Sequence, residues 1–263
     1  MASFTGAAIK DVYKDILHTD NSNTGISSGI KTIKCGDGDS TALSLSTNNL
    51  RVQPASDSTS SVNMRDADGN SLFTVDSTND LVKAGVGQHT VNTQYSYFGV
   101  GSQLSQWAGA SADTHYAVPF NGITTLSLFS LGTGTNPDAS TTSTTQGDDN
   151  VGSIWYVMDN ITIDRVVWWS GGDAATGEIT IAHLMGYDID NSNGSTGGDL
   201  SNGTVLADGG SITNAGYEQS YYQQMTIQSA NVDAGKAIAF AFKALSSVNS
   251  DYTINATVKY HLR

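Results

Sequence analysis

The fold is decided by residues 62–85, which read VNMRDADGNSLFTVDSTNDLVKAG. Short runs with apolar residues stand at Val62–Arg65, Leu72–Val75 and Leu81–Gly85. Residues rich in Asp, Asn, Ser and Gly separate these runs, and Asp-Gly-Asn at 68–70 suits a turn that needs a residue at positive φ. The stretch therefore predicts short antiparallel strands joined by tight turns.

The same pattern extends over residues 40–87, where another alternating run carries Leu43, Leu45 and Leu50. Strands with one or two apolar residues per face cannot offset the entropy that is lost when their backbone becomes ordered. They need a partner, and identical copies wound around a common axis are the simplest one. We therefore predict that residues 40–89 form a short β-stalk in which copies of the chain intertwine.

Composition favours an all-β protein. Of the 263 residues only 14% are charged, against about 25% in typical soluble domains, and 28 are glycine.

The charge and the cysteine count exclude other classes. The formal charge is −13, from 12 Lys and Arg against 25 acids, and the basic residues form no stripe, so nucleic acid is not an expected partner. One cysteine, Cys35, excludes an intramolecular disulfide framework. No secretory signal and no apolar run of about 18 residues is visible, which predicts synthesis in the cytoplasm and no membrane insertion.

After Thr90 the apolar content rises and the strands become longer. Turn signals recur at regular intervals and predict about eight to ten strands, which favours a jelly-roll-like β-sandwich. Two polar segments, 132–150 and 188–203, are expected to be loops. The predicted organisation is an extended arm over 1–39, the stalk over 40–89 and the sandwich over 90–263.

The arm carries one helical pattern, over residues 7–17. Its apolar residues recur at helical spacing and are Ile9, Val12, Tyr13, Ile16 and Leu17. An isolated helix of this length is marginal, so it needs to dock. Either the arm packs on its own protein, or it is an anchor that attaches the chain to a larger particle.

Several stretches resemble structural proteins of tailed bacteriophages, especially marine ones. They are YKDILHTDNSNTGI at 13–26, GDGDSTALSLS at 36–46, the strand–turn–strand unit at 62–85, NTQY at 92–95, NSDY at 249–252 and VKYH at 258–261. The resemblance covers most of the chain and rests on turn chemistry rather than on catalytic signatures.

This resemblance implies a homotrimeric virion protein without enzymatic activity, assembled with the major capsid protein or with tail or vertex proteins. The members are tail fibres or spikes, head fibres and capsid decoration proteins. Many phage fibres are much longer than 263 residues, so a decoration or cement protein, or a short head or tail fibre, fits this chain at least as well. A different class, the receptor-binding module, would use the loops 132–150 and 188–203 with an exposed aromatic residue to recognise host surface glycan.

Adjacent aromatic residues are the candidates for glycan binding. Trp168 and Trp169 precede Ser170-Gly171-Gly172, and Tyr221 and Tyr222 form a second pair. In a strand, neighbours point to opposite faces, so one member of each pair is expected in the core. The other member faces either a neighbouring subunit or solvent, where its ring would stack on a sugar.

A calcium site is the candidate for metal binding. Asp188, Asp190, Ser192 and Asp199 place oxygen at the first, third, fifth and twelfth positions of a calcium-loop pattern. Asn193 stands where that loop needs Gly, and no helical pattern flanks it, so an Asx-rich surface loop is the alternative. No other cofactor is expected.

Catalytic signatures are missing from the sequence. The five histidines, namely His18, His89, His115, His183 and His261, show no paired ligand spacing. There is no nucleophile elbow, phosphate loop or dinucleotide fingerprint. Asp148 and Asp149 lie in a predicted loop, where the acid pair of a depolymerase would be hard to hold. We expect no catalytic residues and no enzymatic activity.

Overall fold

A computed structural model describes residues 14, 16–19, 21, 24–101, 110–121, 129–141, 152–172, 176–216, 219–246 and 252–263. The protein is all-β, and its paired strands in these ranges run antiparallel. The chain divides into unit 1, Met1–Asn92, and unit 2, Thr93–Arg263. Most of the predicted N-terminal helix, including Ile9, Val12 and Tyr13, lies outside the described residues.

Unit 1 contains two sheets in which each strand pairs with its neighbour in sequence. The first sheet consists of β1 (His18–Thr19), β2 (Lys31–Lys34), β3 (Ser40–Leu45) and β4 (Leu50–Val52). The second consists of β5 (Val62–Arg65), β6 (Ser71–Asp76), β7 (Leu81–Ala84) and β8 (His89–Thr90). The short strands predicted over 62–85 are confirmed.

Turn chemistry closes the hairpins of the second sheet as the sequence predicts. Gly69 has φ +85°, in the region where glycine is favoured. The Asp66 carboxylate accepts hydrogen bonds from the backbone N–H groups of Asp68, at 3.0 Å, and Asn70, at 2.8 Å. These bonds and the Asn70 side chain hold the pKa of Asp66 below its usual range. At the next turn Asp76 accepts bonds from the Asn79 amide.

Unit 2 is a β-sandwich. Its six-stranded sheet has the order β10-β18-β13-β14-β16, with β11 also paired to β18, and its five-stranded sheet has the order β15-β12-β19-β9, with β17 also paired to β12. The strands are β9 (Thr93–Val100), β10 (Tyr116–Val118), β11 (Trp155–Tyr156), β12 (Ile161–Gly172), β13 (Ile179–Ile189), β14 (Leu200–Thr213), β15 (Gln219–Gln224), β16 (Thr226–Ile227), β17 (Asn231–Val232), β18 (Lys236–Ala244) and β19 (Tyr252–Leu262). If β11, β16 and β17 are set aside, the remaining eight strands have the order of a jelly roll, with β10-β18-β13-β14 in one sheet and β15-β12-β19-β9 in the other.

The main core lies between the two sheets. Trp168 of β12 is completely buried, with ring centroids 6.5 Å from Phe240 and 6.3 Å from Phe242 of β18. The inward residues of β19 alternate with outward ones, as its sequence predicts. This alternation places one side of each sheet in the core and leaves the other side for further contacts.

A second, smaller core lies on the side of the six-stranded sheet that faces away from the first. Phe129 and Leu131 cover small residues of β18, namely Ala237, Ala239 and Ala241. The segment 129–141 is tied down by paired backbone hydrogen bonds between Thr141 and Leu200, each 2.9 Å. The remainder of the predicted loop 132–150, residues 142–150, lies outside the described residues.

The predicted loop 188–203 is wrong in its extent. Strand β13 continues to Ile189 and β14 begins at Leu200, so the connection is residues 190–199. Strand β14 escaped prediction because it contains three glycines and its pairing with β13 is interrupted by register shifts. One of these glycines, Gly209, lies against the core tryptophan: a Cβ there would stand 2.8 Å from Trp168 Nε1.

Candidate functional surfaces

The first candidate surface is the apolar face of the β5–β8 sheet. Cross-strand pairing aligns Val62, Val75 and Val82 in one row, and Met64, Phe73 and Ala84 in the next. None of these six side chains is fully buried in the single chain, and Met64 is 60% exposed. Apolar side chains in register along one face of a sheet normally pack against another layer.

The β1–β4 sheet repeats this arrangement. Leu43 pairs with Val52, and Leu45 pairs with Leu50, which is 67% exposed. Among the described hydrophobic residues of unit 1, Ile33 alone falls within the buried class. We call the apolar residues of strands β3 to β8 the stalk faces, and among the described residues of one chain they lack the closed interior that unit 2 has.

Two of the five predicted attachment residues lie in the described part of the chain. Ile16 is half-buried and Leu17 is 65% exposed, and both precede β1 without forming a helical turn. Leu17 therefore adds to the uncovered apolar surface of unit 1.

The second candidate surface is the outer face of the five-stranded sheet. Trp169 of β12 and Tyr222 of β15 are cross-strand partners, and their rings meet at 67° with centroids 5.1 Å apart. Trp169 is 49% exposed and Tyr222 is 48% exposed.

The other two predicted glycan-binding residues are not available on this face. Trp168 points into the core. Tyr221 is half-buried, and its hydroxyl accepts a hydrogen bond from Ala215 N and donates one to Gln219, each 2.6 Å. The structure thus brings two of the four predicted glycan-binding residues together.

Neighbouring strands add residues that the sequence did not reveal. Tyr95 and Tyr97 of β9 are half-exposed on the same side of the sheet. Tyr95 pairs with Lys259 of β19, which pairs with Arg165 of β12. We call the six residues Tyr95, Tyr97, Arg165, Trp169, Tyr222 and Lys259 the aromatic face. The alternation of tyrosines in β9 was a signal for outward side chains, but only the strand order places them beside Trp169.

Two of the four predicted calcium residues, Asp188 and Asp190, have carboxylates that are engaged by protein donors. The Asp188 carboxylate pairs with Lys236 and accepts a hydrogen bond from Asn202, at 2.8 Å. The Asp190 carboxylate accepts bonds from Ser192 N, at 2.8 Å, and Thr196 Oγ1, at 2.6 Å. These contacts hold the pKa values of both acids below their usual range. In the described ranges, no group of three or more His, Cys, Asp or Glu is arranged to hold a metal ion.

A buried polar cluster lies beneath the segment 129–141. Lys243 Nζ pairs with Asp113 at 2.8 Å and donates to the carbonyl of Gly134 at 2.9 Å. The rings of His115 and His183, both buried, have centroids 5.1 Å apart. Burial, followed by the charges of Lys243 and His183, lowers the pKa of His115 to about 4. Burial likewise lowers the pKa of His183.

No protein-family model matches this chain, and no curated protein matches it. Within the part of the chain that the structure describes, no helix is long and apolar enough to cross a membrane. The two surfaces are therefore the basis for assigning a function.

Proposed function

We propose that this chain is a homotrimeric structural protein of a phage virion, acting as a capsid decoration or cement protein or as a short head or tail fibre. The arm, residues 1–39, attaches the protein to the major capsid protein or to tail or vertex proteins. Residues 40–89 intertwine three copies. The jelly roll stabilises the particle and is presented to the medium.

The observation that carries this proposal is the stalk faces. Burying a Val, Leu, Phe or Met side chain completely contributes about 1.5–3 kcal/mol. Leu43, Leu50, Val52 and Met64 are each between 37% and 67% exposed in one chain. Several kcal/mol per copy are therefore gained when other copies cover these faces, and the apolar layer that unit 1 lacks is supplied by its own symmetry mates.

The virion assignment is supported by two further points. The turn motifs resemble those of tailed-phage structural proteins. Jelly rolls are also frequent among viral capsid domains, although this fold serves many other functions, so it supports the proposal only by analogy.

Charge substitution in the stalk tests the trimer. Met64→Asp places a carboxylate in the apolar row of the β5–β8 sheet, and we expect it to convert the trimer to monomers while unit 2 still unfolds cooperatively. Met158→Asp is the matched control, because Met158 is 76% exposed in unit 2. Light scattering reports the mass of each variant. A Met64→Asp protein with the same oligomeric mass as the control would contradict the proposed interface.

Copy number in a particle tests the location. Quantitative mass spectrometry of purified virions would give the ratio of this chain to the major capsid protein. Hundreds of copies indicate decoration, a handful indicate a tail or vertex appendage, and absence from virions would refute the virion assignment.

A second function, recognition of host surface glycan, is favoured by the aromatic face. Four half-exposed aromatic rings on one sheet face are unusual for a surface that only meets water. The Trp169 and Tyr222 rings meet at a steep angle, so a sugar ring could stack on the face of one ring and contact the other ring at its side.

A glycan array tests this second function. Trp169→Ala is expected to abolish glycan binding while the oligomeric state is retained. Tyr156→Ala is the control, because Tyr156 is a similarly exposed aromatic residue on β11 of the other sheet. Equal binding by both variants would exclude the aromatic face as the glycan site.

A further inference from the structure

We infer that the aromatic face selects anionic saccharides, whose carboxylate or sulfate groups lie against Arg165 and Lys259. This inference rests on the second proposed function, glycan recognition. It adds the chemical class of the ligand and the residues that choose it.

Two cations of unit 2 differ from the others in having no acidic partner among the described residues. Residues 93–263 contain five Lys and Arg. Three of them form ion pairs: Lys236 with Asp188, Lys243 with Asp113 at 2.8 Å, and Arg263 with Asp233 at 2.8 Å. Arg165 and Lys259 have no carboxylate within ion-pair distance among the described residues.

These two cations are neighbours on the five-stranded sheet. Arg165 and Lys259 are direct cross-strand partners on the outer face. Side chains in that relation have Cβ atoms about 4.5–5.5 Å apart, and like charges placed so are destabilising. The chain has a net charge of −13 and many acidic residues, yet both position 165 and position 259 carry a basic residue. An anionic group bound between the two cations would remove the repulsion that the fold itself leaves in place.

The surroundings of the pair fit a ligand rather than an internal ion pair. Arg165 Nη2 donates to the Tyr222 hydroxyl at 2.9 Å, a neutral acceptor that keeps the full positive charge available. The neighbouring acid, Asp164, is bonded to His261 Nδ1 at 2.9 Å. Arg165 and Lys259 together with Asp164 carry a formal charge of +1, on a chain whose net charge is −13.

The layout indicates a short oligosaccharide. Arg165 and Trp169 are four residues apart on one strand, which corresponds to about 14 Å. On β19, Thr257 lies midway, opposite Val167, and offers a hydroxyl group, and Asn255 lies opposite Trp169 and offers an amide. The aromatic rings can contact the apolar faces of sugar rings while the cations bind the acidic substituents.

Single-stranded nucleic acid also combines anionic groups with flat rings, but the charge of the protein disfavours it. A nucleic acid carries a dense row of phosphates, and its binding depends on neutralising many of them. Two cations on a protein of charge −13 cannot supply that. A sparsely charged acidic saccharide requires only local complementarity.

The test measures binding of the full-length protein to a glycan array that contains acidic saccharides and their carboxyl-reduced or desulfated counterparts. We expect acidic members to bind about tenfold more tightly than their neutral counterparts at low salt, consistent with two exposed ion pairs. The double variant Arg165→Gln/Lys259→Gln should lose this preference, so that acidic saccharides and their neutral counterparts bind it with equal affinity. Arg51→Gln, an exposed cation of unit 1, is the control and should keep the preference.

The outcomes separate the inference from the function on which it rests. Glycan binding without an acidic preference, or a preference that survives in the double variant, overturns the inference and leaves glycan recognition standing. Failure to bind any glycan overturns both. Binding of a single-stranded DNA oligonucleotide in preference to every glycan overturns the assignment to saccharides.

Discussion

Acidification should destabilise the β-sandwich through His115. The His115 ring is completely buried, and neither of its nitrogens has a hydrogen-bond partner among the described residues. Burial disfavours its charged form, and the nearby Lys243 and His183 add repulsion. Its pKa in the folded protein is about 4, against 6.5 in an unfolded chain.

The sign of the effect follows from these two values. Because the folded pKa is the lower one, the unfolded chain takes up a proton first as the pH falls. The contribution of His115 to stability is therefore present above pH 6.5 and is lost as the pH falls toward 4. Each pKa unit is about 1.4 kcal/mol, so the full loss is about 3 kcal/mol, of which about 2 kcal/mol falls between pH 7 and pH 5. His183, whose pKa is also lowered, acts in the same direction.

Thermal unfolding measured at pH 7 and pH 5 checks this prediction. For a domain of this size a loss of about 2 kcal/mol lowers Tm by about 4–8 °C. His115→Leu removes the titrating group, so between pH 7 and pH 5 its free energy of unfolding should fall by about 2 kcal/mol less than that of the wild type. His89→Leu, an exposed histidine of unit 1, should behave like the wild type. Identical pH dependence in wild type and His115→Leu would refute the reasoning.

Two further predictions concern the core of the sandwich and are checked by urea unfolding. Trp168→Ala removes the side chain at the centre of the core and should lower the free energy of unfolding by about 3–5 kcal/mol. Trp169→Ala should lower it far less, because Trp169 is half-exposed. Equal losses of stability would contradict the opposite orientation of the two rings. Gly209→Ala should cost about 1–3 kcal/mol, because its Cβ would stand 2.8 Å from both the Ala182 carbonyl oxygen and Trp168 Nε1; an unchanged stability would show that β14 does not pack so closely on β12 and β13.

The sequence was sufficient for features that depend on local chemistry. Short apolar runs separated by the turns at Asp66–Asn70 and Asp76–Asp80 located the strands of 62–85, and low charge with abundant small polar residues indicated the all-β class. The opposite orientation of Trp168 and Trp169 followed from the two-residue period of a strand alone.

Features that depend on contacts distant in sequence were not predictable. Strand β14 was missed because Gly203, Gly209 and Gly210 weaken its strand signal, and long-range pairing with β13 holds it in place. Tyr95 joins Trp169 on one surface because β9 pairs with β19, more than 150 residues later. That Arg165 and Lys259 have no acidic partner among the described residues likewise follows only from the structure, which pairs the other three cations of unit 2 with acids.

The proposed trimer, in which the apolar faces of unit 1 are buried against other copies of the chain, is tested most directly by the mass of the wild-type protein in solution. Sedimentation equilibrium, repeated after dilution to nanomolar concentration, should give three times the 27.5 kDa chain mass at every concentration. A species of 27.5 kDa whose residues 40–89 are nevertheless protected from hydrogen exchange would contradict it, because those strands would then be stable without a partner.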